Sequence, residues 1–358
     1  KNLTELVSQL SEMRYGHNVR IGDCFCGGGS IPFEAARIGC DSYASDLNPI
    51  AGLLTWADLR ICGASPSELI TISQCRQNIY DAVDKEILDL GVETNEKGDR
   101  AISYLYCVET KCPECGHIIP LAPSWVIGKG TKTVIKLKPN GNGFDFEVKS
   151  GASKDEIEIA SNGTVSNNGL ECPCCGKTTP IASLRHDGIN ENGNVIYGLR
   201  YWEKNEFEAR IDDVFHERLY AIRYEHIEFE RGRERRTRYY STPTKRDLLN
   251  ETRVHSIVAE NFDRWQADGL VPSARIEIGM ETERLYKERG WAYWHQLFNI
   301  RQLFILSMFV RQIQDLNTQY KKAIGIIGLN KCIDRNSKLC IWNSGSGNEK
   351  AEQTYYNQ

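Results

Sequence analysis

Two cysteine pairs carry the most specific chemistry in this sequence: Cys112-Pro113-Glu114-Cys115-Gly116 and Cys172-Pro173-Cys174-Cys175-Gly176. A Cys-x-x-Cys pair closed by glycine lets two thiolates reach one ion from a single tight turn. Two such turns complete a tetrahedral Cys₄ zinc site with Zn–S distances of about 2.3 Å. Cys112, Cys115, Cys172 and Cys175 are therefore expected to hold a structural Zn²⁺ in a zinc ribbon. His117 and Cys174 are weaker substitutes. Four knuckle thiolates are already available without His117, and Cys174 is wrongly spaced from Cys172.

A second candidate is the turn Asp23-Cys24-Phe25-Cys26-Gly27-Gly28-Gly29-Ser30, which holds the pattern Asp-x-Phe-x-Gly-x-Gly. Glycines after a strand let the backbone approach a ligand closely, and the helix N-terminus beyond them offers free N–H groups to a carboxylate or phosphate. Asp46 stands 17 residues after Gly29, close to the roughly 20-residue offset at which an acid takes ribose hydroxyls in doubly wound folds. The structural alternatives are a tight turn without a ligand and a strand-end cap for the Asn48-Pro49 turn. Order and spacing together favour a ligand site. Thirdly, Arg231, Arg233, Arg235, Arg236 and Arg238, followed by Lys245 and Arg246, form either a basic face for nucleic-acid phosphates or the solvated tip of a hairpin.

Strand and helix must alternate to position the first turn. Val19 to Ile21 reads as a strand, Ser30 as the cap of a helix stopped by Gly39, and Ser42 to Ser45 as the next strand, which makes a parallel βαβ unit. Ala51–Ile61 and Ser65–Leu90 read as helices. Residues 1–105 are thus expected to form the first part of an α/β domain, and 106–200 an inserted ribbon module. The 56 residues between Cys115 and Cys172 are long for a compact ribbon, so Asn140 to Gly163 is expected to be a flexible excursion. Residues 201–250 contain a hairpin with a basic tip, after which Thr244 and Asp247 resemble a capping box. Residues 251–358 read as a helical continuation packing on the first domain, with one apolar helix pattern from Trp291 to Leu316. The polar stretch from Asn343 looks like a cut end.

Composition narrows the classes further. The chain has 358 residues and a net charge of −4, which argues against non-specific coating of nucleic acid but leaves a local basic face open. Its thirteen cysteines are dispersed rather than framed as in a small secreted protein, which points to a reducing, cytoplasmic setting. Cys24, Cys26, Cys40, Cys62 and Cys75 read as small buried hydrophobes. No apolar run approaches the roughly 20 residues a membrane span needs. Nor does the N-terminus have a signal-peptide layout.

The run from Asp23 through Gly39, with Ala44-Ser45-Asp46-Leu47-Asn48-Pro49, resembles the S-adenosylmethionine site of adenine-specific DNA methylases that contain a zinc ribbon. The resemblance extends through both knuckles, through Trp291-x-x-Trp294-His295-x-Leu297-Phe298-Asn299-x-Arg301-Gln302-Leu303, and through Asp334-Arg335-Asn336-Ser337-x-Leu339-Cys340-x-Trp342. These blocks span most of the chain from about residue 19 to 342. Cys24 stands where the family usually has proline.

The resemblance implies a Rossmann-like S-adenosylmethionine-dependent methyltransferase domain with an inserted Cys₄ zinc ribbon, acting on adenine N6 in double-stranded DNA, alone or with other subunits of a modification or defence system. It assigns the methionine end of the cofactor to Asp23, Gly27 and Gly29, the ribose to Asp46, and the adenine or methyl side to Phe25, with Asn48 shaping the pocket. The family's catalytic (Asn/Asp/Ser)-Pro-Pro-(Tyr/Phe) loop holds a flipped base. No Pro-Pro pair occurs in these 358 residues, so no catalytic residue is assigned and the chain is expected to bind cofactor without transferring methyl groups. Two other readings are an RNA methyltransferase of the tRNA guanine-N2 type and a zinc-ribbon binding module without catalysis.

Overall fold

A computed structural model describes residues 2–230, 232–347 and 349–354; Arg231 lies outside the described residues. The chain begins with α1 (Leu3–Tyr15), β1 (Arg20–Asp23), α2 (Ser30–Arg37), β2 (Asp41–Ala44), α3 (Pro49–Cys62) and α4 (Pro66–Leu90). A strand-rich stretch follows: β3 (Arg100–Lys111), β4 (Ile118–Leu121), β5 (Val126–Gly128), β6 (Thr133–Asn140), β7 (Gly143–Lys149), α5 (Lys154–Ser161), β8 (Val165–Ser166), β9 (Gly169–Glu171), β10 (Thr178–Pro180), α6 (Ile181–Leu184), β11 (Gly188–Ile189), β12 (Val195–Ile196), β13 (His216–Glu230) and β14 (Arg233–Ser241). Then come α7 (Lys245–Ala267), α8 (Glu283–Arg289), a 3₁₀ turn (Trp294–Leu297), α9 (Ile300–Gln314), α10 (Gln319–Ile333), β15 (Trp342–Asn343) and β16 (Lys350–Ala351). The protein is of mixed α/β class. None of the described helices is long and apolar enough to cross a membrane.

The chain divides into two compact units, Lys1–Asp84 with Met308–Cys332, and Lys85–Ser307 with Ile333–Gln358. These limits differ from the divisions expected at residues 105, 200 and 250, because long-range strand pairing joins segments that composition separates. In the first unit, β1 and β2 pair in parallel from Arg20↔Asp41 to Asp23↔Ala44, with α2 as the crossover. The helix begins at Ser30 itself; Gly29, not Ser30, is its N-cap. Asn48 caps α3 by accepting the Ile50 N–H at 3.0 Å. Cys75 and Ile79 of α4 pack with Ile313 and Leu329. Cys24 and Cys62 are exposed rather than buried, whereas Cys26 and Cys75 are buried.

The second unit is organised by the antiparallel sheet β14-β13-β3-β4. Its core collects Leu105, Trp125, Val134, Phe146, Ala221 and Tyr240. Asn140 to Gly163, expected as a flexible excursion, is instead β7 and α5. Phe144 and Phe146 alternate inward from β7, and Ser153 with Glu156 forms a capping box that opens α5. Expected and observed capping coincide at α7, where Thr244 and Asp247 cap reciprocally. Residues 343–347 and 349–354 also have specific partners. Glu349 accepts from the Tyr240 hydroxyl at 2.9 Å and pairs with Arg223 at 3.2 Å, while the Trp342 indole donates to the Ile127 carbonyl at 2.8 Å. A polar sequence is held there by specific partners rather than by apolar burial.

The pattern from Trp291 does not make one helix. Asn299 and Gln302 bond each other's backbone N–H at 2.9 Å and start α9 at Ile300, so the preceding residues form the 3₁₀ turn. His295 and Gln296 are fully buried. The Gln296 amide accepts from Ala292 N–H at 2.8 Å and donates to the Glu203 carbonyl at 2.8 Å, while His295 meets the Glu206 carbonyl at 2.9 Å. Burial holds the His295 imidazole below its ordinary pKa, which favours the neutral ring. Arg301 donates to Glu251 at 2.8 Å and lies 4.0 Å from the Tyr104 ring centre. Gln296→Ala, which strands several buried groups at once, should destabilise this unit by about 3 kcal/mol. Denaturant titration checks this, and a loss well under 1 kcal/mol would contradict the clamp.

Candidate metal centre and cofactor turn

The two cysteine knuckles repeat one backbone pattern. In the first, Cys112 N–H donates to the His117 carbonyl at 2.8 Å and Gly116 N–H to the Cys112 carbonyl at 2.9 Å; in the second, Cys172 bonds Lys177 at 3.0 Å and Gly176 bonds Cys172 at 2.9 Å. Gly116 and Gly176 take φ values of 76° and 69°, a left-handed conformation that side chains disfavour. The sulfurs of Cys112, Cys115, Cys172 and Cys175 all lie within 4.8 Å of one another, a group able to hold a metal ion. Cys112 and Cys175 are 3.9 Å apart and Cys115 and Cys172 3.6 Å apart. A tetrahedron with metal–sulfur bonds of about 2.3 Å has edges of about 3.8 Å, so the donor set fits zinc in both chemistry and size. Neither His117 nor Cys174 belongs to the cluster.

Beneath the knuckles lies a small core of Ile119, Phe144, Leu170 and Leu184. Burial raises the Cys172 thiol, but the N–H groups of Cys175 and Cys174 and the neighbouring thiols outweigh it and bring the pKa down to about 7. One thiolate is therefore available near neutral pH, the form that binds a metal.

The glycine turn is held by an acid at its far side. Asp46 follows β2 and accepts the Gly27 N–H at 2.9 Å and the Asn48 N–H at 2.8 Å. Those bonds, Asn48 first and Gly27 second, hold its carboxyl below the usual range. Asp23, at the end of β1, accepts the Phe25 N–H at 3.1 Å. Asp23, Gly27, Asp46 and Asn48 thus share one hydrogen-bonded corner. Phe25 stands on its rim with 76% of its surface exposed.

Gly29 has a different task from its neighbours. A Cβ there would sit 2.9 Å from Thr55 Oγ1 and 3.1 Å from Thr55 Cα, at φ +85°, whereas Gly27 and Gly28 face open space. Thr55 also donates to Cys26 Sγ at 3.3 Å. It completes the site, and nothing in its sequence context marks it, because it reaches the turn only through the packing of α3.

The arginine cluster is less basic than its sequence suggests. Arg233, Arg235, Arg236 and Arg238 lie on β14, and the carboxylate partners come from β13 and from Glu234. Arg238 pairs with Glu225 at 2.9 Å, Arg236 with Glu225 at 3.3 Å, and Arg235 with Glu228 and Glu230 at 3.6 Å. Arg233 has no ion-pair partner among the described residues. No family model, curated protein or solved structure matches the chain.

Gly29→Ala should unfold the turn and lower the thermal midpoint of the chain clearly more than Gly27→Ala, which meets the strain of a positive φ but no neighbouring atom. Calorimetry on both variants decides between a packing role for Gly29 and simple backbone permissiveness, since equal effects would remove the Thr55 contact as the cause.

Proposed function

We propose that this chain carries the cofactor-binding and zinc-binding parts of an S-adenosylmethionine-dependent DNA methyltransferase acting on adenine N6. Asp46 bridged to the glycine turn across a parallel βαβ unit is the observation that carries this reading. An ionised carboxylate has about four acceptor positions, and two of those on Asp46 are used by Gly27 and Asn48. With the Leu47 N–H also turned toward the carboxylate, an acceptor position remains for a ribose hydroxyl, which gives the motif its Rossmann-like role.

Around that anchor, the open side of Gly27 and Gly28 admits the methionine end of the cofactor close to the backbone. Asp23 keeps the turn in shape, and the exposed ring of Phe25 supplies an apolar surface for the adenine or methyl side. Bound S-adenosylmethionine supplies a methyl group open to in-line attack by an exocyclic amine, a reaction governed by positioning. No residue of this chain is assigned to hold that amine. Cys112, Cys115, Cys172 and Cys175 hold the structural zinc of a ribbon, cross-linking segments far apart in sequence. Double-stranded DNA is the proposed substrate. With Arg235, Arg236 and Arg238 matched by carboxylates, the hairpin contributes a small phosphate contact centred on Arg233.

Isothermal titration with S-adenosylmethionine tests the cofactor site. The wild-type chain should bind, and Asp46→Ala should bind at least about ten-fold more weakly, the size of one charged hydrogen-bonded pair. No binding by the wild-type chain would remove the proposal. Preference for tRNA over duplex DNA in the same titration would move it to the RNA methyltransferases. For the metal, elemental analysis should find zinc at about one ion per chain, as a single four-thiolate site requires. Cys112→Ser should lose both the zinc and the cooperative melting of the second unit; full metal content in that variant would reject the ligand set.

A further inference from the structure

Within the second unit, β3, β13, the Gly198–Phe215 segment and the Trp291–Arg301 stretch border a cleft of about 860 Å³. A smaller hollow of about 320 Å³ shares Tyr106, Arg289, Trp291, Asn299 and Lys338 with it. The larger volume lies within the roughly 300–1,000 Å³ of ligand sites.

Most cations along the cleft are neutralised within the protein. Arg200 pairs with Asp213 at 2.6 Å and Glu206 at 2.7 Å, Arg218 with Glu109 at 2.9 Å, and Lys338 with Glu217 at 2.9 Å. Arg301 is held by Glu251. Arg289, which lines both hollows, has neither an ion pair nor a hydrogen bond among the described residues. Its side chain is exposed to solvent along the cleft, and the nearby charges of Glu288, Glu217, Arg185 and Arg284 act on it through space only. The guanidinium stays charged regardless. An exposed guanidinium with no internal partner can take up an anion without first breaking an ion pair of the protein.

Neighbouring donors are also unused. Asn299 spends its side-chain oxygen on Gln302 N–H at 2.9 Å, and its amide NH₂ donates to no described residue. Among the described residues neither the half-buried Trp202 nor the buried Trp291 has a hydrogen-bond partner for its indole N–H, although buried tryptophans usually find one. The Lys338 ammonium lies 5.1 Å from the Trp202 ring centre and 5.2 Å from that of Trp291. Asp212, the one lining carboxylate without a partner among the described residues, is exposed to solvent. The cleft therefore has surplus donors and aromatic walls but few free acceptors. A guanidinium fork matches phosphate oxygens, and indole rings match a planar base.

We propose that this cleft binds a nucleotide, with a phosphate held at Arg289. The inference is independent of the cofactor proposal, because S-adenosylmethionine carries no phosphate and its proposed site uses other residues. The phosphate belongs either to a free nucleotide or to a nucleic-acid strand, and the test separates the two sources.

Titration of the full zinc-loaded chain with adenosine monophosphate, adenosine and a single-stranded decanucleotide reads the site directly. Adenosine monophosphate should bind at least about ten-fold more tightly than adenosine, and Arg289→Gln should remove that advantage while metal content stays unchanged. Arg289→Lys should retain part of it. Tighter binding of the decanucleotide than of the mononucleotide assigns the phosphate to a strand, and the reverse assigns it to a free nucleotide; either supports the site. Equal affinity for adenosine and its monophosphate overturns the proposal, as does an unchanged affinity in Arg289→Gln. Inorganic phosphate should compete with adenosine monophosphate on the wild-type protein, and failure to compete overturns it without any variant.

Discussion

The antiparallel ladder between β3 and β13 is the constraint on which the second unit depends. It runs from Arg100↔Glu225 to Glu109↔His216 and closes a loop of over a hundred residues. Loop closure costs only slightly more as a loop lengthens, so a long insertion is tolerated once the ladder and its core repay the ordering. The first knuckle begins at Cys112, directly after Lys111 ends β3. The ladder thus fixes two of the four thiols, and the β9–β10 hairpin brings the other two. Tyr106 of the same strand donates to Glu251 at 2.6 Å, which ties α7 to the sheet through the carboxylate that also holds Arg301.

The two candidate sites share a physical device. In each, a tight turn containing glycine points backbone N–H groups at an anion: Gly27 and Asn48 at the Asp46 carboxylate, Cys174 and Cys175 at the Cys172 sulfur. Hydrogen bonds to the charged form stabilise it. The same geometry therefore leaves an ionised carboxylate beside the glycine turn in one place, which the proposed function gives to ribose hydroxyls, and a thiolate in a group able to hold a metal in the other. The buried polar groups of the Trp291 block are paired as well. His295, Gln296 and Arg301 all face assigned partners, so the Trp291 block, which reads as a functional motif, also works as a clamp on the Glu203–Glu206 backbone.

Short-range chemistry was legible from the sequence. Each knuckle, the glycine turn and the Thr244 cap rest on residues within a few positions of each other, and the Asp46 spacing and the hairpin on about twenty, where covalent geometry and a single turn limit the outcome. The order of strand and helix in the first 90 residues follows for the same reason. Misreadings occurred where long-range partners decide. Asn140 to Gly163 is rich in asparagine and glycine and reads as loose, yet Phe144 and Phe146 find a core made by residues far away. Likewise the stretch from Asn343 is polar, yet Glu349 is held by Tyr240 and Arg223.

Charge was the least legible property. A run of arginines has a meaning only once its opposite strand is known, and β13 supplies carboxylates to three of them. Arg289 is the converse: an unremarkable residue at the end of α8 that becomes significant because folding leaves it along a cleft without a partner among the described residues. The sequence by itself determined the mixed α/β class, the four thiols and the acid-bridged glycine turn, because those depend on local spacing. Tertiary structure alone decided which charges are neutralised, which donors are left unused, and that Thr55 closes against Gly29, because each depends on distances between residues that the chain brings together only by folding.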